Sequence, residues 1–180
     1  MDVVALVSGG IDSITMCKIM ENQGMKILPL FINYGQLAAE QEWAACQLLL
    51  EKCSLPKPQN MDASGYGKTI PSGLTNKDND VYKDAFLPGR NMLFLILAAS
   101  YAYSKGVKTI AIGLLSEKNH LFPDQTQEFI VNTNFAINSA IGDNFIILTP
   151  LINFTKSDVI KLAEKYQVPL DKTYSCHSGA

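Results

Sequence analysis

No apolar stretch in this sequence approaches the ~20 residues that a helix needs to cross a bilayer. The segment from Met1 to Val7 has an acidic side chain and no basic region, which excludes a secretory signal and leaves the cytoplasm as the expected compartment. Positive charge is not in excess either. Fifteen Lys and Arg stand against 17 Asp and Glu, giving a net charge of −2 and a pI near 5.6. A broad basic face is therefore not expected, and neither nucleic acid nor a membrane is an expected partner. Only 18% of the 180 residues are charged while 47% are apolar, a balance that excludes disordered, collagen-like and coiled-coil classes. A chain this long buries roughly 70% of its unfolded surface, enough for one self-sufficient domain over residues 1–180.

Cysteine is scarce. The four stand at 17, 46, 53 and 176, form no CxxC pair and match no zinc or disulfide framework as they stand. They read as three buried or free thiols and one unassigned cysteine near the end. Several ligand motifs are missing as well. No GxGxxG follows the first apolar run, so a dinucleotide fold is not supported. Gly65-Tyr66-Gly67-Lys68-Thr69 ends like a Walker A loop, but Asp62 stands where that loop needs glycine. Asp78-Asn79-Asp80 lacks the glycine of a calcium loop, and neither His120 nor His177 has a metal-type partner at helical spacing. There is no internal repeat.

What is present is an alternation of strand and helix patterns. Residues 3–7 are a valine-rich run ending at Ser8-Gly9-Gly10, which reads as a buried strand breaking into a loop. Residues 12–23 carry a helical pattern through Ile14, Cys17 and Ile19, stopped at Gly24. A strand at 26–33 and a long helix at 36–52 follow, the helix with Trp43, Cys46 and Leu50 on one face; residues 60–63 suggest a short strand. Residues 64–85 are rich in Gly, Ser, Asn, Asp and Lys and read as an irregular insertion or lid. Then come a helix at 91–104, a strand at 108–113, a helix at 124–140, a strand at 145–148 and a helix at 155–166 with Thr155 as its N-cap. The strands are continuous apolar runs. The expected fold class is therefore α/β, an open parallel sheet with helices on both faces.

Such sheets bind ligands beyond the carboxyl ends of their strands. The first of these ends is Ser8-Gly9-Gly10-Ile11-Asp12-Ser13. Two glycines let the backbone approach an anion, the following helix aims its free N–H groups there, and two serines add hydroxyls. A carboxylate at Asp12 repels phosphate unless it holds Mg²⁺. The plainer alternative is that Asp12 caps the helix.

This loop resembles the PP-loop of ATP pyrophosphatases, and the resemblance continues in order along the chain. Asn33-Tyr34-Gly35-Gln36 with Glu40 looks like the second-strand motif of the 7-cyano-7-deazaguanine synthase (QueC-like) family. Leu87-Pro88-Gly89-Arg90-Asn91 resembles its Pro-Gly-Arg-Asn helix start, and Phe122-Pro123-Asp124 with Glu128-Phe129 its Tyr-Pro-Asp…Glu-Phe element. Pro150-Leu151, Lys156 and Thr173-Tyr174-Ser175-Cys176 resemble its closing segment. The resemblance implies an adenine nucleotide alpha hydrolase-like, Rossmann-like fold. It also implies an enzyme that uses ATP and Mg²⁺ to adenylate the carboxylate of 7-carboxy-7-deazaguanine, with ammonia giving first an amide and then a nitrile. By position it makes Val7, Ser8, Gly9, Gly10, Ile11, Asp12, Ser13, Tyr34 and Gln36 nucleotide-binding residues. Asp12, Ser13, Arg90 and Lys156 become catalytic candidates, and Asn91, Lys118, Phe122, Asp124 and Glu128 the substrate pocket. On the residues alone, Arg90 is equally a structural residue at a helix start and Lys156 a solvated first-turn lysine. A homodimer is implied by the resemblance only.

The departures from the family pattern cluster on the acceptor side. Leu37 and Ala38 replace the family's Arg-His. Leu115, Lys118-Asn119 and Gln125-Thr126 replace its Asn, Asp-Tyr and Cys-Arg. Losing a charged partner in a pocket costs a few kcal/mol, enough to reject a ligand. The family also places four cysteines near the end to bind one zinc. Here Cys176 alone is present and the sequence stops at Ala180, so zinc is expected only if the chain continues, with Cys176 as its first ligand. Besides the deazaguanine acid, two readings stay open. One is a divergent paralogue of antiphage systems, which joins a deazaguanine to a protein acceptor; the other is a nucleotide-binding module without catalysis.

Overall fold

In the computed structural model of the chain, which describes residues 1–81, 83–116 and 122–174, five parallel strands form one sheet in the order β3-β2-β1-β4-β5. The strands are β1 (Asp2–Val7), β2 (Lys26–Asn33), β3 (Gln59–Asp62), β4 (Thr109–Ala111) and β5 (Ile146–Leu148). The helices between them are α1 (Ile11–Asn22), α2 (Ala39–Lys52), α3 (Gly65–Thr69), α4 (Arg90–Ser104), α5 (Gln127–Ile141) and α6 (Lys156–Lys165). β1 lies at the centre, pairing with β2 from Asp2↔Lys26 to Val7↔Phe31 and with β4 at Val4↔Ile110 and Ala5↔Ala111. Pro29 is tolerated inside β2 because β3 begins to pair only at Leu30, so a residue without N–H leaves no ladder bond unmade on that side.

The central strand is buried on both sides, and its alternation sorts the core. Val3, Ala5 and Val7 pack with α1, α2 and α6, through Met16, Met20, Leu49 and Val159. Val4 and Leu6 pack with α4 and α5, through Leu95, Ala98, Ala102 and Ile137. Both faces are covered, as the apolar strands predict. α4 presents small alanines to the strand side, so its backbone lies close to β1 and β4, and its apolar face is spent on the core.

The element boundaries differ from the sequence reading where side chains take over backbone bonds. α2 starts at Ala39 and not at 36, because the Gln36 carboxamide accepts a hydrogen bond from Tyr34 N–H at 2.9 Å and holds a turn there. The helix expected at 124–140 divides into a 3-10 turn, Pro123–Gln125, and α5, where Thr126 accepts from Phe129 N–H at 3.0 Å as N-cap. β4 is shorter than 108–113. Within 64–85 the stretch Gly65–Thr69 is helical, and the segment is bound to the preceding turn by Gly67 N–H to Tyr34 O at 2.9 Å and Leu37 N–H to Leu74 O at 2.9 Å.

α6 begins as expected. Thr155 Oγ1 accepts from Asp158 N–H at 3.3 Å, while Asp158 Oδ2 accepts from Thr155 N–H at 3.0 Å, a reciprocal cap. Thr155→Ala removes it and is expected to lower stability by about 1 kcal/mol. Urea denaturation checks this as a lower midpoint with an unchanged slope.

Candidate functional site

Beyond the carboxyl ends of β1, β2 and β4 lies a cavity of about 330 Å³. The strand order reverses here, with β2 and β3 on one side of β1 and β4 and β5 on the other, which is the usual ligand position of an open α/β sheet. Val7, Ser8, Gly10, Ile11, Asp12 and Ser13 line it from β1 and α1; Tyr34 and Gln36 line it from the turn after β2; Arg90, Asn91 and Lys156 come from α4 and α6. Residues far apart in the chain, Val7 and Lys156 among them, therefore line one space.

The loop is shaped by its own serines. Ser8 N–H donates to Ser13 Oγ at 3.2 Å, Ser13 Oγ donates to Gly10 O at 3.1 Å, and Gly10 N–H donates to Ser8 Oγ at 3.4 Å. The Ser13 hydroxyl hydrogen is thus committed to the loop, whereas that of Ser8 is not. Gly10 occupies the cap position of α1 and brings no side chain, so the first N–H groups of the helix have no intrahelical acceptor and lie at the cavity. Asp12 is therefore not the cap. Its carboxylate, in the first turn, accepts two hydrogen bonds from Lys156 Nζ at 2.8 and 2.9 Å. The two side chains are 31% and 47% exposed, so the pair is solvent-screened, worth ~0–1 kcal/mol, and a ligand can open it.

Gly9 faces away from the cavity, toward α2. Its φ is +76°, and a Cβ there would lie 2.7 Å from Glu42 O and 2.9 Å from Cys46 N. Its role is close approach, and it does not line the cavity. Burial pushes the Cys46 thiol up to about 12, while the Gly9 backbone N–H pulls the other way. Cys17 is also raised by burial, and both thiols stay protonated at neutral pH.

Opposite the loop, the Arg90 guanidinium sits over two rings, 5.7 Å from the centroid of Tyr34 and 5.9 Å from that of Phe94. It forms no ion pair with a carboxylate among the described residues, and its Nε is buried without a partner. Burial pushes the Tyr34 phenol up to about 12, and Arg90 offsets part of that rise. The phenol therefore stays neutral beside the cation.

The acceptor-side residues are less exposed to the cavity than expected. Asn91 N–H donates to Asp124 Oδ2 at 3.2 Å and Asn91 Nδ2 to Asp124 O at 2.9 Å, so Asp124 caps α4, which otherwise starts at Gly89 without a side-chain cap. Phe122 stacks on Phe86 with centroids 5.1 Å apart, and Glu128 is exposed in the first turn of α5; neither lines the cavity. Gln125 does line it. Lys118 and Cys176 lie outside the described residues.

The sequence pattern of the family described as "Queuosine biosynthesis protein QueC" matches residues 2–180. The chain belongs to the QueC family. It is 34% identical over 186 aligned residues to the 7-cyano-7-deazaguanine synthase of Nautilia profundicola, covering 98% of this chain and 84% of that one. It is 32% identical to the synthase of Campylobacter fetus subsp. fetus, covering 98% and 83%. Among solved structures, a predicted subunit of tRNA methyltransferase from Methanocaldococcus jannaschii superposes with a TM-score of 0.62 at 16% identity, over 91% of this chain and 74% of that one. The NMN synthetase of Francisella tularensis gives 0.58 at 16% identity, over 98% and 66%. At such identities they share the fold, which is adenine nucleotide alpha hydrolase-like.

Several cavity-lining positions lay outside the candidate site residues, among them Glu42, Phe94, Gly113 and Tyr174. Glu42 lacks any motif spacing that would single it out from helix-face residues, and Phe94 stood only within the Leu93-Phe94-Leu95 run that follows the matched helix start. Gly113, two residues past β4, and Tyr174, whose N–H donates to Gly9 O at 3.1 Å, both line the cavity. Tyr174 stood inside a matched segment, yet only the fold shows it crossing the loop.

Two outcomes follow from this packing. Gly9→Ala forces a methyl group into the α2 backbone at an unfavourable φ and is expected to cost at least ~2 kcal/mol and weaken nucleotide binding by more than tenfold. Thermal melting and calorimetry check it. Maleimide at neutral pH is expected to leave Cys17 and Cys46 unlabelled in the native protein and to label both in urea, as read by peptide mass spectrometry.

Proposed function

We propose that this chain forms AMP and pyrophosphate from ATP, adenylating the carboxylate of 7-carboxy-7-deazaguanine for attack by ammonia. The carboxylate oxygen bonds to the α-phosphorus and pyrophosphate leaves. Ammonia then adds at the carboxyl carbon, and AMP departs with that oxygen, leaving an amide. A second ATP activates the amide oxygen in the same way, and loss of AMP and protons gives the nitrile. The carrying observation is that two cations from different helices, Arg90 and Lys156, share a cavity with the N–H groups of a glycine loop. That combination suits a polyphosphate whose leaving group gathers negative charge.

The residue roles divide accordingly. Ile11, Asp12 and Ser13 offer backbone N–H groups to the pyrophosphate end, with the Ser8 hydroxyl beside them. Asp12 is the carboxylate that would hold Mg²⁺, a cation that needs only one or two carboxylates when phosphates and water complete its shell. The ion would neutralise charge on the phosphates. The oxygen donors of Asp12, partly open to the cavity and presently matched to a cation, suit it. No group of three or more His, Cys, Asp and Glu side chains is placed to hold a metal among the described residues, so other oxygens must come from the ligand and solvent.

A second reading rests on Gln125, which lines the cavity where the family pattern has cysteine: the activated acid has another acceptor, including a protein. Mass spectrometry of a mixture of enzyme, Mg-ATP, ammonium and 7-carboxy-7-deazaguanine separates the two. AMP with the nitrile supports the first reading, AMP with an amide or protein adduct the second, and no AMP contradicts both. Lys156→Ala is expected to slow pyrophosphate release roughly 100-fold, as removal of one preorganised charge donor does, with a smaller change in stability. Stopped assays with the folded variant check it.

A further inference from the structure

Glu42 is a carboxylate with 7% exposure at the base of a cavity suited to anions. A buried charge in such a place is costly unless its hydrogen bonds do something specific. Glu42 Oε2 accepts from Gln36 Nε2 at 3.0 Å, and Gln36 Oε1 accepts from Tyr34 N–H at 2.9 Å. A carboxamide bonded at both ends has one orientation, so the carboxylate decides which end of Gln36 meets the backbone of Tyr34. The ring of Tyr34 lies 5.2 Å from that of Phe94, and Arg90 rests on the pair. With no carboxylate partner for Arg90 among the described residues, the two rings and the hydrogen bond between the Tyr34 phenol and Arg90 are what hold its guanidinium at the cavity.

We infer that Glu42 is a positioning residue, which acts through Gln36 and Tyr34 to hold Arg90 where charge develops on the phosphates. This rests on the reading of Arg90 as a cation of ATP cleavage. The inference also changes what Gln36 does: it is a bracket between α2 and the Tyr34 turn. The backbone of the same residue, Glu42 O, is what Gly9 packs against, so one helical turn of α2 supports the phosphate loop and the arginine seat together.

A double-mutant cycle tests it, because residues that act as one unit are not additive. Glu42→Ala is expected to lower kcat for pyrophosphate release more than tenfold with the KM for ATP changed less than threefold. Glu42→Gln, which keeps an acceptor for Gln36, is expected to stay within threefold of the parent enzyme. In an Arg90→Ala background, Glu42→Ala is expected to add less than threefold. Calorimetry with a non-hydrolysable ATP analogue should show binding within threefold in Glu42→Ala, since the loop N–H groups are untouched. If Glu42→Ala does not fold, Gln36→Met takes its place in the cycle with the same expectation. Multiplying losses in the double variant, or a Glu42→Gln enzyme as slow as Glu42→Ala, overturns the inference while leaving the reaction standing. An Arg90→Ala enzyme with full activity overturns the reading of Arg90 itself.

Discussion

The backbone of Gly9 passes so close to α2 that a single methyl group would meet Glu42 O at 2.7 Å and Cys46 N at 2.9 Å. Much of the site depends on that approach. With the loop seated on α2, the following residues turn outward, and the first N–H groups of α1 lie at the cavity. Helix geometry then leaves those groups without acceptors of their own. The same contact places the first part of α2 under the turn after β2, where Gln36 and Glu42 meet. The loop, the cavity-facing end of α1 and the seat of Arg90 are thus one packed unit.

Around that unit the electrostatics are balanced but open to exchange. Asp12 and Lys156 neutralise each other across 144 residues of chain, in a pair exposed enough to be weak. Among the described residues Arg90 has aromatic faces in place of a counter-ion, which hold a cation without cancelling its charge. A polyanion entering the cavity therefore meets one cation with no carboxylate partner among the described residues and one whose ion pair is weak. The acceptor side is built differently: Asn91 and Asp124 are joined to each other and fasten the start of α4 to the Pro123–Gln125 turn. Their mutual bonds set the shape of that wall.

The layout of the sheet was legible in the sequence because buried parallel strands must be apolar throughout, and Val3 to Val7 and Ile27 to Ile32 leave little alternative. The glycine turn after β1 was legible because glycine at 9 and the helix start at 11 are local requirements. Lys156 and Arg90 were reachable only through family likeness, since a first-turn lysine and a helix-start arginine look the same whether they serve a ligand or face water. Glu42 was not legible. Its partner is six residues back on a turn whose shape depends on a side-chain bond, and no periodicity encodes that. The misplaced starts of α2 and α5 have the same origin, in side chains of Gln36 and Thr126 that take over backbone groups. Phe122 and Glu128 matched a motif, yet neither is among the residues that line the cavity.

The account stands on the transfer of a carboxylate oxygen to AMP, and isotope labelling reads that transfer directly. With 7-carboxy-7-deazaguanine carrying ¹⁸O in its carboxylate, and Mg-ATP and ammonium in ordinary water, mass spectrometry of the AMP decides the matter. AMP carrying ¹⁸O is the predicted result, because the bond to the α-phosphorus forms from the acid. Unlabelled AMP, formed only with oxygen from water, would contradict adenylation and leave the cavity as a site of simple ATP hydrolysis.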